Sequence, residues 1–193
     1  MGLFDRFRPK RSFEQTSATA AAAVLSEDIL RTSLRAAREI DQMEEQHSPV
    51  GSEKSGGWGA AFEFMHFFLH IADRLAFGIL GPDNRSFFID TLASMTFDAT
   101  VEVMLQPCDV AKRRELKQAL LSDLTHRNVY YGACKKLFPE EGGSPKDTVF
   151  WEFGKKLAES VGHPEDIRWI MGAIMAAMAS LKVLDINAAI LSI

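Results

Sequence analysis

The stretch Trp58-Gly-Ala-Ala-Phe-Glu-Phe-Met-His-Phe-Phe-Leu-His-Ile-Ala-Asp-Arg-Leu-Ala-Phe-Gly-Ile-Leu80 is followed by Gly81 and Pro82. Phe64, Phe68, Ile71 and Leu75 recur at three- and four-residue steps, the period of one helix face. Alternation with period two, the mark of a half-buried strand, is missing here and along the rest of the chain. The segment therefore reads as a helix that stops at Gly81, and it sets an all-α expectation for the whole protein.

Working outward gives about six helices. Thr16 to His47 holds neither proline nor glycine and places Ile29, Leu30, Leu34, Ala37 and Ile40 on one side. Pro82 and Asp83 open a third helix reaching Gln106, and Pro107 begins a fourth running toward Phe138, with Gly132 as a break. Two further starts are expected, at Ser144-Pro145-Lys146-Asp147 and at His163-Pro164-Glu165-Asp166. The expected organisation is a basic amphipathic or disordered tail (1–15), a long N-terminal helix (16–47), a flexible Gly/Ser linker (48–57) and a helical core domain (58–193). The linker would let the first helix pack on its own chain or reach a second copy.

The core is expected from the second, third and sixth helices. The third is apolar over most of its surface through Phe87, Phe88, Ile89, Leu92, Met95 and Phe97. In the sixth, Ile167, Met171, Ile174, Met178 and Leu181 keep a three-four spacing that reads as a core stripe. Met171, Met175 and Met178 could instead form an adaptable binding groove.

Composition narrows the function classes. The 193 residues, 47 % of them hydrophobic, are enough for one sizeable core, and a net charge of −4 argues against a general nucleic-acid binder. Lys112, Arg113, Arg114 and Lys117 cluster on the fourth helix, but no nucleic-acid-binding motif accompanies them. Two cysteines, Cys108 and Cys134, are too few for a disulfide framework and fit a reducing compartment, so a cytoplasmic location is expected. The most apolar run, Trp169 to Leu181, falls short of the roughly 18 residues that span a bilayer.

Chemistry is suggested in one place. Glu63, His66, His70 and Asp73 follow one another at offsets of three, four and three, which lines them along one face of the second helix. Imidazoles one turn apart can share a metal, and carboxylates can ligate it or orient the rings. Asp90, Ser94 and Asp98 on the third helix could complete such a site. The competing reading makes the stripe the solvent side of a phenylalanine-rich helix, with Arg74 pairing Glu63 or Asp73. A di-iron bundle would need a second Glu-x-x-His helix, and the other matches, Glu44/His47 and the inexact Asp123/His126, are poor. Phosphate loops, nucleophile elbows and paired C-x-x-C motifs are missing.

The first thirteen residues mix Leu3, Phe4 and Phe7 with Arg6, Arg8, Lys10 and Arg11, a pattern suited to a protein partner or to weak peripheral contact with an anionic membrane. The sequence thus points to a non-catalytic cytoplasmic interaction or adaptor protein with a protein partner, and leaves homo-oligomers open. The alternative is a metal-binding bundle, enzyme or sensor, built on the Glu63/His66/His70/Asp73 stripe; no cofactor is specified.

Overall fold

The computed structural model describes residues 14–47, 57–105, 110–138 and 145–193. Over these the chain is an all-α bundle: α1 (Gln15–His47), α2 (Trp58–Leu80), α3 (Pro82–Met104), α4 (Val110–Gly132), α5 (Val149–Ser160), α6 (Ile167–Val183) and the short α7 (Ile186–Leu191).

The turn between α2 and α3 follows from two residues. Gly81 sits at φ 77°, a left-handed conformation that favours glycine, and Pro82 occupies the first turn of α3 with Asp83 beside it. The third helix ends at Met104, two residues earlier than expected, and the fourth ends at Gly132 and does not run on to Phe138.

Two helix starts also differ from expectation. In α5 the cap is Thr148: its hydroxyl accepts from the Trp151 N–H and donates to the Pro145 carbonyl. Pro145 lies in the preceding turn, where Asp147 has φ 65°, so the helix begins at Val149. In α6 the cap is Asp166, whose carboxylate accepts from the Arg168 N–H. His163 lies outside that helix and stacks on Trp169, ring centroids 4.2 Å apart.

Helix α1, about 50 Å long at 1.5 Å per residue, packs on α3, α2, α6 and α7 of its own chain. Ala18, Ala22, Leu25, Ile29, Ala37 and Ile40 are buried in the same hydrophobic cluster as Phe64, Phe68, Phe88 and Leu92. The core thus draws on α1 as well as on α2 and α3. An aromatic knot of Phe64, Phe67, Phe150 and Phe153 joins α2 to α5.

The expected core stripe of α6 is split. Ile167, Met171 and Met178 are exposed, Ile174 and Leu181 are partly buried against the core, Ile174 beside Gly154 of α5, and Trp169, Ile170, Ala173, Ala176 and Ala177 face the interior. The helix is apolar on both sides, and Gly154 of α5 fixes which side goes in. A Cβ there would lie 2.8 Å from the Ile170 carbonyl oxygen, so α5 and α6 cross nearly in backbone contact at Ile170. Taken together, α6 and α7 (Ile167–Leu191) are long and apolar enough to cross a membrane, which the sequence reading of a run ending at Leu181 missed. Leu184 and Asp185 separate the two helices, Asp185 capping α7.

Candidate functional site

The polar stripe on α2 is buried along its whole length: Glu63, His66, His70 and Asp73 all lie in the interior, so it is not a solvent face. It forms a seam against α4 and the start of α3, and its partners come from far along the chain. Glu63 pairs with Arg127 of α4. His70 Nδ1 lies 3.2 Å from Asn128 Oδ1, and Arg74 Nε donates to His70 Nε2 at 3.1 Å. That pattern assigns the neutral tautomer with the proton on Nδ1. Asp73 takes both arms of Arg85, each at 2.5 Å. Arg74, expected beside Glu63 or Asp73, instead donates from Nη2 to the carbonyl oxygens of Tyr131 and Cys134 and ties down the end of α4.

The electrostatics follow from burial. Desolvation raises the Glu63 carboxyl above its ordinary value, against the charge and hydrogen bond of Arg127, which pull it down. Burial, with Arg127 adding, lowers His66 to about 4, so this imidazole is neutral at pH 7. His70 is lowered too, chiefly by burial, with Asn128 opposing. Tyr131, fully buried beside Phe67 and His70, is held well above the usual phenol range by burial and then by the nearby Glu63. Glu63 Oε2, both ring nitrogens of His66, Arg127 Nε and the Tyr131 hydroxyl make no well-formed hydrogen bond among the described residues, although Tyr131 lies close enough to Glu63, and His66 to the Leu120 backbone, to interact.

As a metal site the arrangement is poorly supplied. Glu63 and Asp73 are spent on arginines and His70 on Asn128 and Arg74. Among the described residues no three His, Cys, Asp or Glu side chains converge on one point. The expected contribution of α3 does not arise. Asp90 is exposed, and Asp98 and Ser94 bind Lys117 of α4 at 2.6 and 2.9 Å. Asp123 and His126 point to solvent. Cys134 is free and buried, with its thiol raised by burial, whereas Cys108 lies outside the described residues. So do Leu3, Phe4, Phe7, Arg6, Arg8, Lys10 and Arg11, and the side chain of His47.

Two surface features remain. A cleft of about 660 Å³ between α1, α3 and α4 mixes Glu27, Asp98 and Glu102 with Arg113, Arg114 and Lys117, so its charges largely cancel. The basic cluster of α4 faces these acids, Arg113 on Glu102 at 3.7 Å and Lys117 on Asp98. The second feature is the outer face of α6, where Met175 is 67 % exposed between Met171 and Met178. The sequence offered this methionine row as a groove, and assigned Met171 and Met178 also to a core stripe of which only Ile174 and Leu181 pack on the core. No family model, curated protein or solved structure matches the chain.

Proposed function

We propose that this chain is a helical interaction protein of the cytoplasm, without catalysis of its own, that binds a protein partner through the outer face of α6. The basic N-terminal segment, with Phe4 and Phe7 among Arg6, Arg8, Lys10 and Arg11, would serve as an auxiliary contact to a partner or a membrane surface. The observation that carries this reading is the apolar stripe Ile167, Met171, Met175 and Met178 left at the surface of a helix that is also apolar on its inner side. Soluble proteins seldom leave such a stripe uncovered unless something binds it, and unbranched methionine adapts to varied partners. Two cysteines, too few for a disulfide framework, suit that compartment. Cross-linking in the host cell with the full chain, a Met171→Glu/Met175→Glu variant and a chain lacking residues 1–13 tests it. The α6 variant, folded by circular dichroism, should lose the cross-linked species, and the deletion should weaken them. Unchanged recovery from both would contradict the reading.

A second reading, metal binding at the α2 stripe, has one observation in its favour: His66 and Glu63 Oε2 are buried without a well-formed hydrogen bond among the described residues. A metal there would have to displace Arg127 from Glu63. Near-stoichiometric iron, zinc or manganese in protein purified without tag or chelator, lost in His66→Ala/His70→Ala, would establish it. A metal-free protein that stays so with excess metal would end it.

A further inference from the structure

We infer that α4 is a strap that lifts off the bundle while the other helices stay folded, and so gates solvent access to Glu63 and His66 of α2. Nothing in it depends on the α6 contact face. The row of α4 that meets the bundle is Arg113, Lys117, Leu120, Leu124, Arg127 and Tyr131, at steps of four, three, four, three and four. Half of that row is cationic, where a core helix would carry apolar side chains. Of the 23 residues of α4 only Leu120, Leu124 and Tyr131 are buried, against fourteen of the 23 in α2. The other attachments are polar. Arg113 meets Glu102, and Lys117 meets Asp98 and Ser94, on α3; Arg127 meets Glu63 on α2, and Tyr130 meets Glu152 on α5. Such contacts replace contacts to water and add little net stability.

The fit beneath α4 is also imperfect. Among the described residues seven buried side-chain polar atoms make no well-formed hydrogen bond, and six of them lie where α4 meets α2 and α3. They belong to Glu63, His66, Arg113, Arg127 and Tyr131, and the seventh is the Ser33 hydroxyl of α1. Polar atoms enclosed without good partners raise the free energy of the closed state. A helix with few buried apolar side chains and such an interface is the kind that opens below the free energy of global unfolding. Its far end, by contrast, is clasped. Arg74 donates to the Tyr131 and Cys134 carbonyls, the Val149 and Phe150 N–H groups donate to the Lys136 and Leu137 carbonyls at 2.9 and 3.4 Å, and Phe138 stacks on Phe150. The strap therefore rises from its Val110 end and is retained beyond Gly132. The Leu120 backbone lies against His66, and Arg127 lies against Glu63, so raising that stretch opens both side chains to water.

Native-state hydrogen exchange of the full chain in increasing urea, with modification of His66 by diethylpyrocarbonate read by mass spectrometry, tests the strap. Amides from Leu116 to Leu124 should exchange at a lower free energy than those from Phe64 to Leu69. Their dependence on urea should also be shallower, since lifting α4 exposes less surface than unfolding the chain. Lys117→Glu, which sets an acid against Asp98, should speed α4 exchange and His66 modification about tenfold, and Asp98→Lys/Lys117→Glu should bring both back. Ile40→Val removes a methyl group from the buried face of α1. It should speed exchange from Phe64 to Leu69 about fivefold, through global unfolding, and leave the α4 and His66 rates as they are. One free energy and one urea slope for α4 and α2 would overturn the strap, because α4 would then open only with the whole fold. Equal acceleration of both by Ile40→Val would overturn it for the same reason. His66 modification that Lys117→Glu leaves unchanged would overturn the gate.

Discussion

Replacing Arg127 by methionine keeps most of the volume of the α2–α4 seam and removes the charge that faces Glu63. Glu63 is buried, so its carboxylate would be left with only the weaker influence of Lys156, itself paired with Glu159, as counter-charge. The folded chain escapes by keeping the carboxyl protonated, which caps the cost. Starting from an ordinary value of 4.5, holding that proton at pH 7 costs about 1.4 kcal/mol per pH unit, or roughly 3 kcal/mol in all, and under about 1 kcal/mol at pH 5. The sign is fixed: the folded variant binds a proton that the unfolded chain has lost, so its stability falls as pH rises above 4.5. Urea unfolding of Arg127→Met at pH 5 and pH 7 should show a deficit that grows by about 2 kcal/mol between them. Adding Glu63→Gln should bring stability back to within about 1 kcal/mol of wild type, because neither charge then remains. A small deficit that ignores pH, or a double variant no better than the single, would refute the seam as described.

Other outcomes follow from the same structure. His66 is lowered to about 4 against 6.5 when unfolded, so the unfolded chain binds more protons between those values and stability is lost as pH falls through that window, by roughly 3 kcal/mol in total. Glu63 acts in the opposite sense above 4.5 and His70 in the same sense, so the contribution is read as the difference in pH slope between wild type and His66→Leu; identical slopes would deny it. Gly154→Ala should cost about 1 to 3 kcal/mol despite alanine's better helix propensity, since its Cβ would press on the Ile170 backbone. A rise in thermal midpoint would mean that α5 and α6 do not cross so closely.

The helices of this chain are largely legible in its sequence because their ends carry strong signals, Gly81 before Pro82 above all. The starts of α5 and α6 were displaced by the prolines at 145 and 164, which attract attention to the turn, although Thr148 and Asp166 are themselves favoured capping types. The α2 stripe was visible as a spacing, but its meaning was not. Glu63 and Arg127 are 64 residues apart, and no local pattern says which basic residue of α4 will reach which acid of α2. On α6 the period was found and its direction was not. With Ile170, Ala173 and Ala177 on one side and Met171, Met175 and Met178 on the other, both faces look apolar in sequence. The choice falls to Gly154, on a different helix, whose missing side chain lets the Ile170 side approach.

The most direct test of the outward α6 face is methionine oxidation by peroxide, read residue by residue. In dilute protein Met171, Met175 and Met178 should oxidise quickly and the fully buried Met65 slowly. Oxidation of Met175 as slow as that of Met65 would contradict the orientation of α6 and the contact face proposed for it.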